Sequence, residues 1–349
     1  MALTSSGFTA PMTKNVKLRS SVYETIIQVG PDETPILSKI GTSSVTNPLL
    51  HSWLTDTLAK PKQNKNLEIT GLTEVTKNTV QKTSNATQIF KTEAMVSDSL
   101  LKARQYGGNE MAYQMGKKAK EHKLDIEYAL FGLGRDSDTK VSVFKEYVQA
   151  NESVEGEMAG MFYYIAKDAK SFSDGRRGNI LAFDENGDWT GNATELTEDK
   201  LNQILQSIWD KGVTAKDVFV GADLKAAINR IATRILGNEK RVTSHITSIE
   251  TDFGVVNFHL HRMLSKENNL ADCLIAGDFS FMKHGLYIPT KISEVPTDKT
   301  ALAKRIFTQG TLEVRNADAF AIAVGLSSVA SKKMVSINET PKENKTSGK

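Results

Sequence analysis

One cysteine, Cys273, stands in 349 residues, so no internal disulfide framework is available and the chain suits a reducing cytoplasm. Its neighbours Leu270, Ala271, Leu274 and Ile275 are apolar, which marks a buried thiol rather than a nucleophile. No apolar run reaches the roughly 18 residues a membrane-spanning helix needs, so neither a transmembrane helix nor a membrane partner is expected. Met1 to Lys14 lacks the continuous apolar stretch of a signal peptide. Sequence repeats are absent, and so is any large surplus of one charge. Lys and Arg number 44 against 41 Asp and Glu, and the resulting +3 is too small for a surface that coats nucleic acid. No glycine-rich loop leads into Gly-Lys-Ser/Thr, and no Gly-x-Ser-x-Gly elbow occurs, which removes the phosphate-binding loop and the serine hydrolase. Gly132-Leu133-Gly134, the nearest glycine-rich approach, reads as a helix stop.

What is present fits a folded protein of two domains with a sizeable core, at 39% hydrophobic and 24% charged residues. One stretch departs from that average. In the 29 residues from Lys60 to Gln88 only Leu67, Ile69, Leu72, Val75, Val80 and Ala86 are apolar, and none is aromatic. Six threonines with Val and Ile among them favour extended structure. Alternation at Leu67/Ile69 and from Thr76 to Val80 predicts a two-stranded ribbon. An isolated ribbon is marginal in water, so contacts from outside it must complete it. It reads as an arm that packs on neighbouring copies of the same protein.

Further along, a short apolar-periodic piece spans Ser97 to Tyr106. Asn109 is an N-cap with Glu110 in the first turn, and Ala112, Met115, Ala119, Ile126 and Leu130 then recur on one face to Phe131. The opposite face carries Lys117, Lys118, Lys120, Glu121, Lys123 and Glu127, giving a strut about 34 Å long that Gly132 and Gly134 end. Val141 to Val148 and Met161 to Ile165 read as short strands or mixed elements, and Ser171 to Ala193 as a long loop. Glu198 and Asp199 open a helix whose Leu201, Ile204, Leu205 and Ile208 share a face, and Lys211 and Gly212 close it. Val218 to Val220 reads as a buried strand. A helix with Leu224, Ile228, Ile231 and Ile235 on one stripe follows, and Ile246 to Leu260 reads as a hairpin turning at Asp252-Phe253-Gly254. Leu196 to Ile288 is thus one α/β unit. Thr311 to Asn316 alternates as a strand, Ala319 to Val324 is more apolar, and Lys332 to Lys349 reads as a flexible tail.

Candidate chemistry is sparse. His259-x-His261 places two imidazoles on one strand face, with His245 upstream, but no carboxylate or cysteine stands at a matching spacing, so a polar strand face at a rim is preferred over metal. Asp184, Asn186, Asp188, Thr190 and Glu195 fall at calcium-loop spacing, yet Trp189 occupies the position that needs glycine, and an Asx/Gly turn is preferred. The carboxylate pairs Glu195/Glu198 and Asp136/Asp138 lie in caps or loops, where solvation accounts for them. From Asp56 to Glu93, Lys60, Lys62, Lys65, Lys77, Lys82 and Lys91 face Asp56, Glu68, Glu74 and Glu93, a net of +2 without the interleaved aromatics that base stacking needs. Lys14, Lys17 and Arg19 are better placed for non-specific contact with DNA, against the alternative of a solvated tail. No catalytic, cofactor-binding or metal residue is assigned, no cofactor is expected, and an enzyme is the least supported class.

Two segments carry a family resemblance. Gly30-Pro31-Asp32-Glu33-Thr34-Pro35-Ile36-Leu37-Ser38-Lys39-Ile40-Gly41, followed by His51-Ser52-Trp53-Leu54-Thr55-Asp56-Thr57-Leu58-Ala59, resembles the N-terminal signature of tailed-bacteriophage (Caudoviricetes) major capsid proteins. Those proteins share a capsid fold with encapsulins and the herpesvirus capsid floor. Leu196-Thr197-Glu198-Asp199 through Ile208-Trp209 resembles the opening of that family's axial domain. The likeness runs from about Val16 to about Leu326. It implies an α+β fold with an N-terminal arm (1–50), an E-loop β-hairpin (51–95) and a peripheral domain begun at 96–194 with its spine helix at 109–131. An inserted α/β axial domain (195–288), completion of the peripheral domain (289–330) and a flexible tail (331–349) follow. It also implies pentamers and hexamers of the chain building an icosahedral shell around double-stranded DNA. The chain would be assembled in the host cytoplasm with portal, scaffolding or decoration proteins as partners, and would reside in the virion. Some relatives cross-link a loop lysine to a neighbour's asparagine, and no motif here places such a pair. The alternatives are an encapsulin-like cellular shell, or a nucleic-acid-binding protein that uses the lysine-rich ribbon.

Overall fold

The structure, a computed structural model, describes residues 34–56, 58, 61–65, 68, 71, 80–103, 109–134, 142–166, 179–187, 191–235 and 247–328. The first elements are α1 (Pro35–Lys39), β1 (Gly41–Ser44) and β2 (Leu50–Thr55), then β3 (Gln81–Ala86), β4 (Gln88–Ser97) and α2 (Asp98–Lys102). α3 (Glu110–Phe131) is the strut. Asn109 caps it by accepting the Ala112 N–H at 3.2 Å, and Gly132 ends it at φ +77°, a conformation open to glycine. Gly132 has a second role. A Cβ on Gly160 would lie 2.3 Å from the Gly132 nitrogen, so the two backbones cross where α4 (Met161–Ile165) begins. The 161–165 segment is therefore a helix and not a strand. Four of its five residues are buried, a continuous apolar run whose period does not separate helix from strand.

Two sheets organise the rest. The four-stranded sheet has the order β1-β11-β12-β4, dominated by the antiparallel pair β11 (Met282–Val295) and β12 (Ala301–Val314). Along β4, Phe90, Ala94 and Val96 turn inward where α3 packs, while Ile89, Lys91, Glu93 and Met95 point outward. Buried His122 of α3 ties the layers: Nδ1 pairs with Thr92 Oγ1 at 2.9 Å and Nε2 with Thr308 Oγ1 at 2.8 Å. Burial holds this imidazole below its ordinary range, so it bridges two hydroxyls as a neutral ring.

The six-stranded sheet has the order β5-β13-β10-β7-β9-β8, from β5 (Ile180–Ala182), β7 (Asp217–Val220), β8 (Ser248–Thr251), β9 (Gly254–Leu260), β10 (Leu274–Gly277) and β13 (Phe320–Val324). β7, β10 and β13 are wholly buried because both faces are covered. One face, with Val218, Leu274 and Ala321, meets the apolar stripes of α5 (Glu198–Trp209) and α6 (Ala222–Ile235). Phe219, Ile275 and Ile322 on the other face join the main core with α3 and α4. A short parallel pair, β6 (Thr194–Glu195) with β14 (Leu326–Ser327), completes the topology.

The sheets redraw three sequence expectations. The hairpin read as reaching residue 95 ends at Ala86, because β4 leaves β3 and pairs with β12 along its whole length. Part of the 171–193 loop is strand β5, parallel to β13. Phe320–Val324, assigned by sequence to the peripheral domain, instead sits between β5 and β10 in the sheet of the α/β unit. Its five consecutive apolar residues suit a strand covered on both sides.

Candidate assembly site

The ribbon's root is β2 paired antiparallel with β3, from Leu50↔Ala86 to Thr55↔Gln81. Its contacts with the body among the described residues include several at the Ala86 end. Asn85, fully buried, donates Nδ2 to Leu312 O at 2.8 Å and Ala159 O at 3.2 Å, and its Oδ1 accepts the Ala159 N–H at 2.9 Å. Thr311 Oγ1 donates to Ala86 O, Tyr164 Oη donates to Ser84 O, and Trp53 packs on Tyr164 with ring centroids 5.5 Å apart. Beyond these contacts the strands run out: Leu54 is 71% exposed, Leu58 98% and Val80 49%. The predicted alternation at Leu67/Ile69 and Thr76 to Thr79 lies outside the described residues.

Beside the root opens a groove of about 1000 Å³, bounded by Thr55, Tyr147, Tyr163, Lys211, Arg315 and Asp318. Burial and the neighbouring Glu146 carboxylate raise the Tyr163 phenol, keeping its proton in place. Glu313, buried, pairs with Arg315 of the groove's lining. Burial pushes its carboxyl up, but Arg315 at 2.8 Å, Ser43 at 2.8 Å and His51 at 3.4 Å outweigh burial and hold it below the usual carboxylate range.

The outer face of the four-stranded sheet is a second uncovered surface. Ile89 and Met95 stand exposed on it, Arg305 Nε bonds Glu93 Oε1 at 2.7 Å, and Lys291 lies over the Phe307 ring. Apolar side chains and both charges share this plane.

The sequence candidates are dispersed. His259 and His261 do not converge: His259 Nε2 pairs with Asp217 Oδ1 at 2.8 Å, and His261 Nε2 with Glu127 Oε1 at 2.7 Å. His261 is 3% exposed, at a junction of elements rather than on a polar rim. Glu127, placed on the solvent face of the strut by its period, is fully buried. The sequence signal that could have flagged it is its place between Ile126 and Leu130 where the apolar stripe broadens. His245, Asp188, Trp189, Thr190, Asp136, Asp138, Lys14, Lys17 and Arg19 lie outside the described residues. Asp184 accepts the Gly191 N–H at 2.6 Å as a turn would, and no cluster of three metal-ligating side chains occurs among the described residues. Cys273 is buried. No described helix is long and apolar enough to cross a membrane.

An α+β body with a two-stranded ribbon at its edge, a long strut helix and a separate α/β lobe is the fold of tailed-phage capsid proteins. The structure of Gordonia phage Cozz matches over 94% of this chain and 98% of its own, at TM-score 0.58 and 10% identity. The capsid of a native GTA particle covers 92% of this chain and 100% of its own, at 0.58 and 12%. The holo-SrpI encapsulin complex from Synechococcus elongatus covers 89% and 94%, at 0.55 and 10%, so the fold alone does not separate kinds of shell. The family does: the chain belongs to the SU10 major capsid protein family, whose model matches residues 4–327. A major capsid protein of Escherichia phage Phieco32 is 33% identical over 137 residues, a match spanning 38% of this chain and 37% of that relative.

Proposed function

We propose that this protein is the subunit of a tailed-phage head, assembling as pentamers and hexamers into an icosahedral shell that encloses double-stranded DNA. The observation that carries the reading is the ribbon root: two paired strands leave the body with Leu54, Leu58 and Val80 uncovered. A ribbon of this kind gains stability only from contacts beyond it. Family membership supplies the context, and the outer sheet face supplies a surface of matching chemistry. Head-to-tail contacts that close after five or six copies form rings, and many weak contacts per subunit add up once the first are made. Lys14, Lys17 and Arg19 would meet packaged DNA through salt-sensitive phosphate contacts. Portal, scaffolding or decoration proteins are further partners, assembly takes place in the host cytoplasm, and the virion is the final location.

Excising the ribbon tests this. Thr55 and Gln81 are paired, so residues 56–80 can be replaced by an Asn-Gly turn without disturbing the root. The excised protein should unfold at the same denaturant concentration as the parent, remain soluble and build no shells under electron microscopy. Normal particles from it would remove the ribbon from assembly. The likeness to an encapsulin gives a second reading, a shell around protein cargo. Nuclease-protected DNA inside particles from infected cells decides for the first reading, and protein cargo for the second.

A further inference from the structure

Helix α1 does not cap itself. Its N-cap residue Thr34 makes no side-chain cap bond, and the cap comes instead from the strut, 90 residues onward. Glu127 Oε1 accepts the Ile36 N–H at 2.9 Å and Oε2 accepts the Leu37 N–H at 2.8 Å. The third donor to this carboxylate is His261. Its Nδ1 accepts the Met263 N–H at 3.1 Å, which leaves Nε2 to donate to Glu127. Glu127 is thus a fully buried carboxyl group held by three hydrogen bonds, two of them from α1.

A second bracket lies one turn along α1. Lys39 Nζ reaches Asp217 Oδ1 at 2.9 Å, and His259 Nε2 meets the same oxygen at 2.8 Å. Asp217 begins β7 and is buried, and His259 pairs with Phe219 of β7 in the register of β9. Between the brackets, Ile36 and Ile40 are buried in the main core.

We propose that α1 is a clasp that makes the seating of the N-terminal segment and the seating of the β7–β9 edge on the strut a single coupled variable. The reason is the shared carboxylates. A buried carboxylate that loses one donor is under-solvated, so its remaining contacts are strained toward opening and hydration together. Releasing α1 therefore loosens the lobe, and loosening the lobe frees α1. The two histidines that sequence spacing offered as metal ligands are the lobe's half of the clasp.

Amide hydrogen exchange on the unassembled full-length protein tests the coupling. His261→Gln makes no hydrogen bond to α1 directly, yet it should speed exchange at Ile36 and Leu37 about tenfold or more while the amides of Phe320–Val324 keep their rates. In the other direction, Lys39→Met should speed exchange across Asp217–Val220, and it samples the second bracket should His261→Gln fail to fold. Unchanged rates at Ile36 and Leu37 in H261Q, or at Asp217–Val220 in K39M, would overturn the proposal. So would a rise shared equally by Phe320–Val324, which marks global destabilisation instead of coupling.

Discussion

Replacing Asn85 with alanine is expected to destabilise the isolated subunit by roughly 3–5 kcal/mol, read as a lower midpoint in urea unfolding with an unchanged slope. The side chain is fully buried and serves three main-chain groups: the Ala159 N–H, the Ala159 carbonyl and the Leu312 carbonyl. Truncation leaves all three without that partner in a dry site, and each unsatisfied group costs about 1–3 kcal/mol before relaxation. The Ala159 groups also fix the approach to Gly160, where two backbones cross with no room for a Cβ, so the site cannot collapse cheaply. Asn85→Asp is the control. It keeps one acceptor for the Ala159 N–H but aims a carboxylate at two carbonyl oxygens, and should do no better than alanine at neutral pH. A loss below about 1 kcal/mol for both variants would show that these bonds do not hold the ribbon's root.

Acid should weaken the folded subunit well before ordinary carboxylates titrate. His284 lies in β11 opposite Leu312, is 5% exposed, and its Nε2 meets no hydrogen-bond partner. Burial pushes the imidazole from 6.5 down to about 4. The unfolded chain therefore takes up this proton first. The stability that neutral His284 contributes is complete above pH 6.5 and drains away as pH falls toward 4, by about 3 kcal/mol in all. His122 acts in the same direction, since burial depresses it too. Glu313 and Asp278, both held below the normal range, add their loss only at lower pH, once the solution is more acid than an unfolded carboxyl. Urea titrations of the parent and of His284→Gln between pH 7 and 4 isolate the effect. The parent should lose about 3 kcal/mol more than the variant, and parallel losses would show that His284 is not the sensor.

Local signals made part of this fold legible. The strut's cap at Asn109 and stop at Gly132, the stripe of α5 with its acidic first turn at Glu198 and Asp199, and the turn before Gly254 are all written within a few residues of where they act. What sequence could not supply is long-range partnership. Glu127 follows a charged helix face, and only the arrival of α1 and His261 from distant parts of the chain turns it inward. The His259/His261 spacing read as one polar strand face, whereas β9 ends between them and each ring meets a different carboxylate. Met161–Ile165 and Phe320–Val324 are continuous apolar runs, and such runs report burial without naming the element or the sheet that provides it. The apolar-poor stretch contains β3, which pairs with β2, while its predicted alternation at Leu67/Ile69 lies outside the described residues.

The position of β13 bears on synthesis. It fills the gap between β5 and β10, yet it is made more than a hundred residues after the first of them. A chain that ends before residue 320 leaves β5 detached from the four strands β10-β7-β9-β8 of this sheet, with the β10 edge bare. Such fragments expose strand edges that the finished polypeptide covers, so truncated chains are expected to aggregate or be degraded before they reach the native fold.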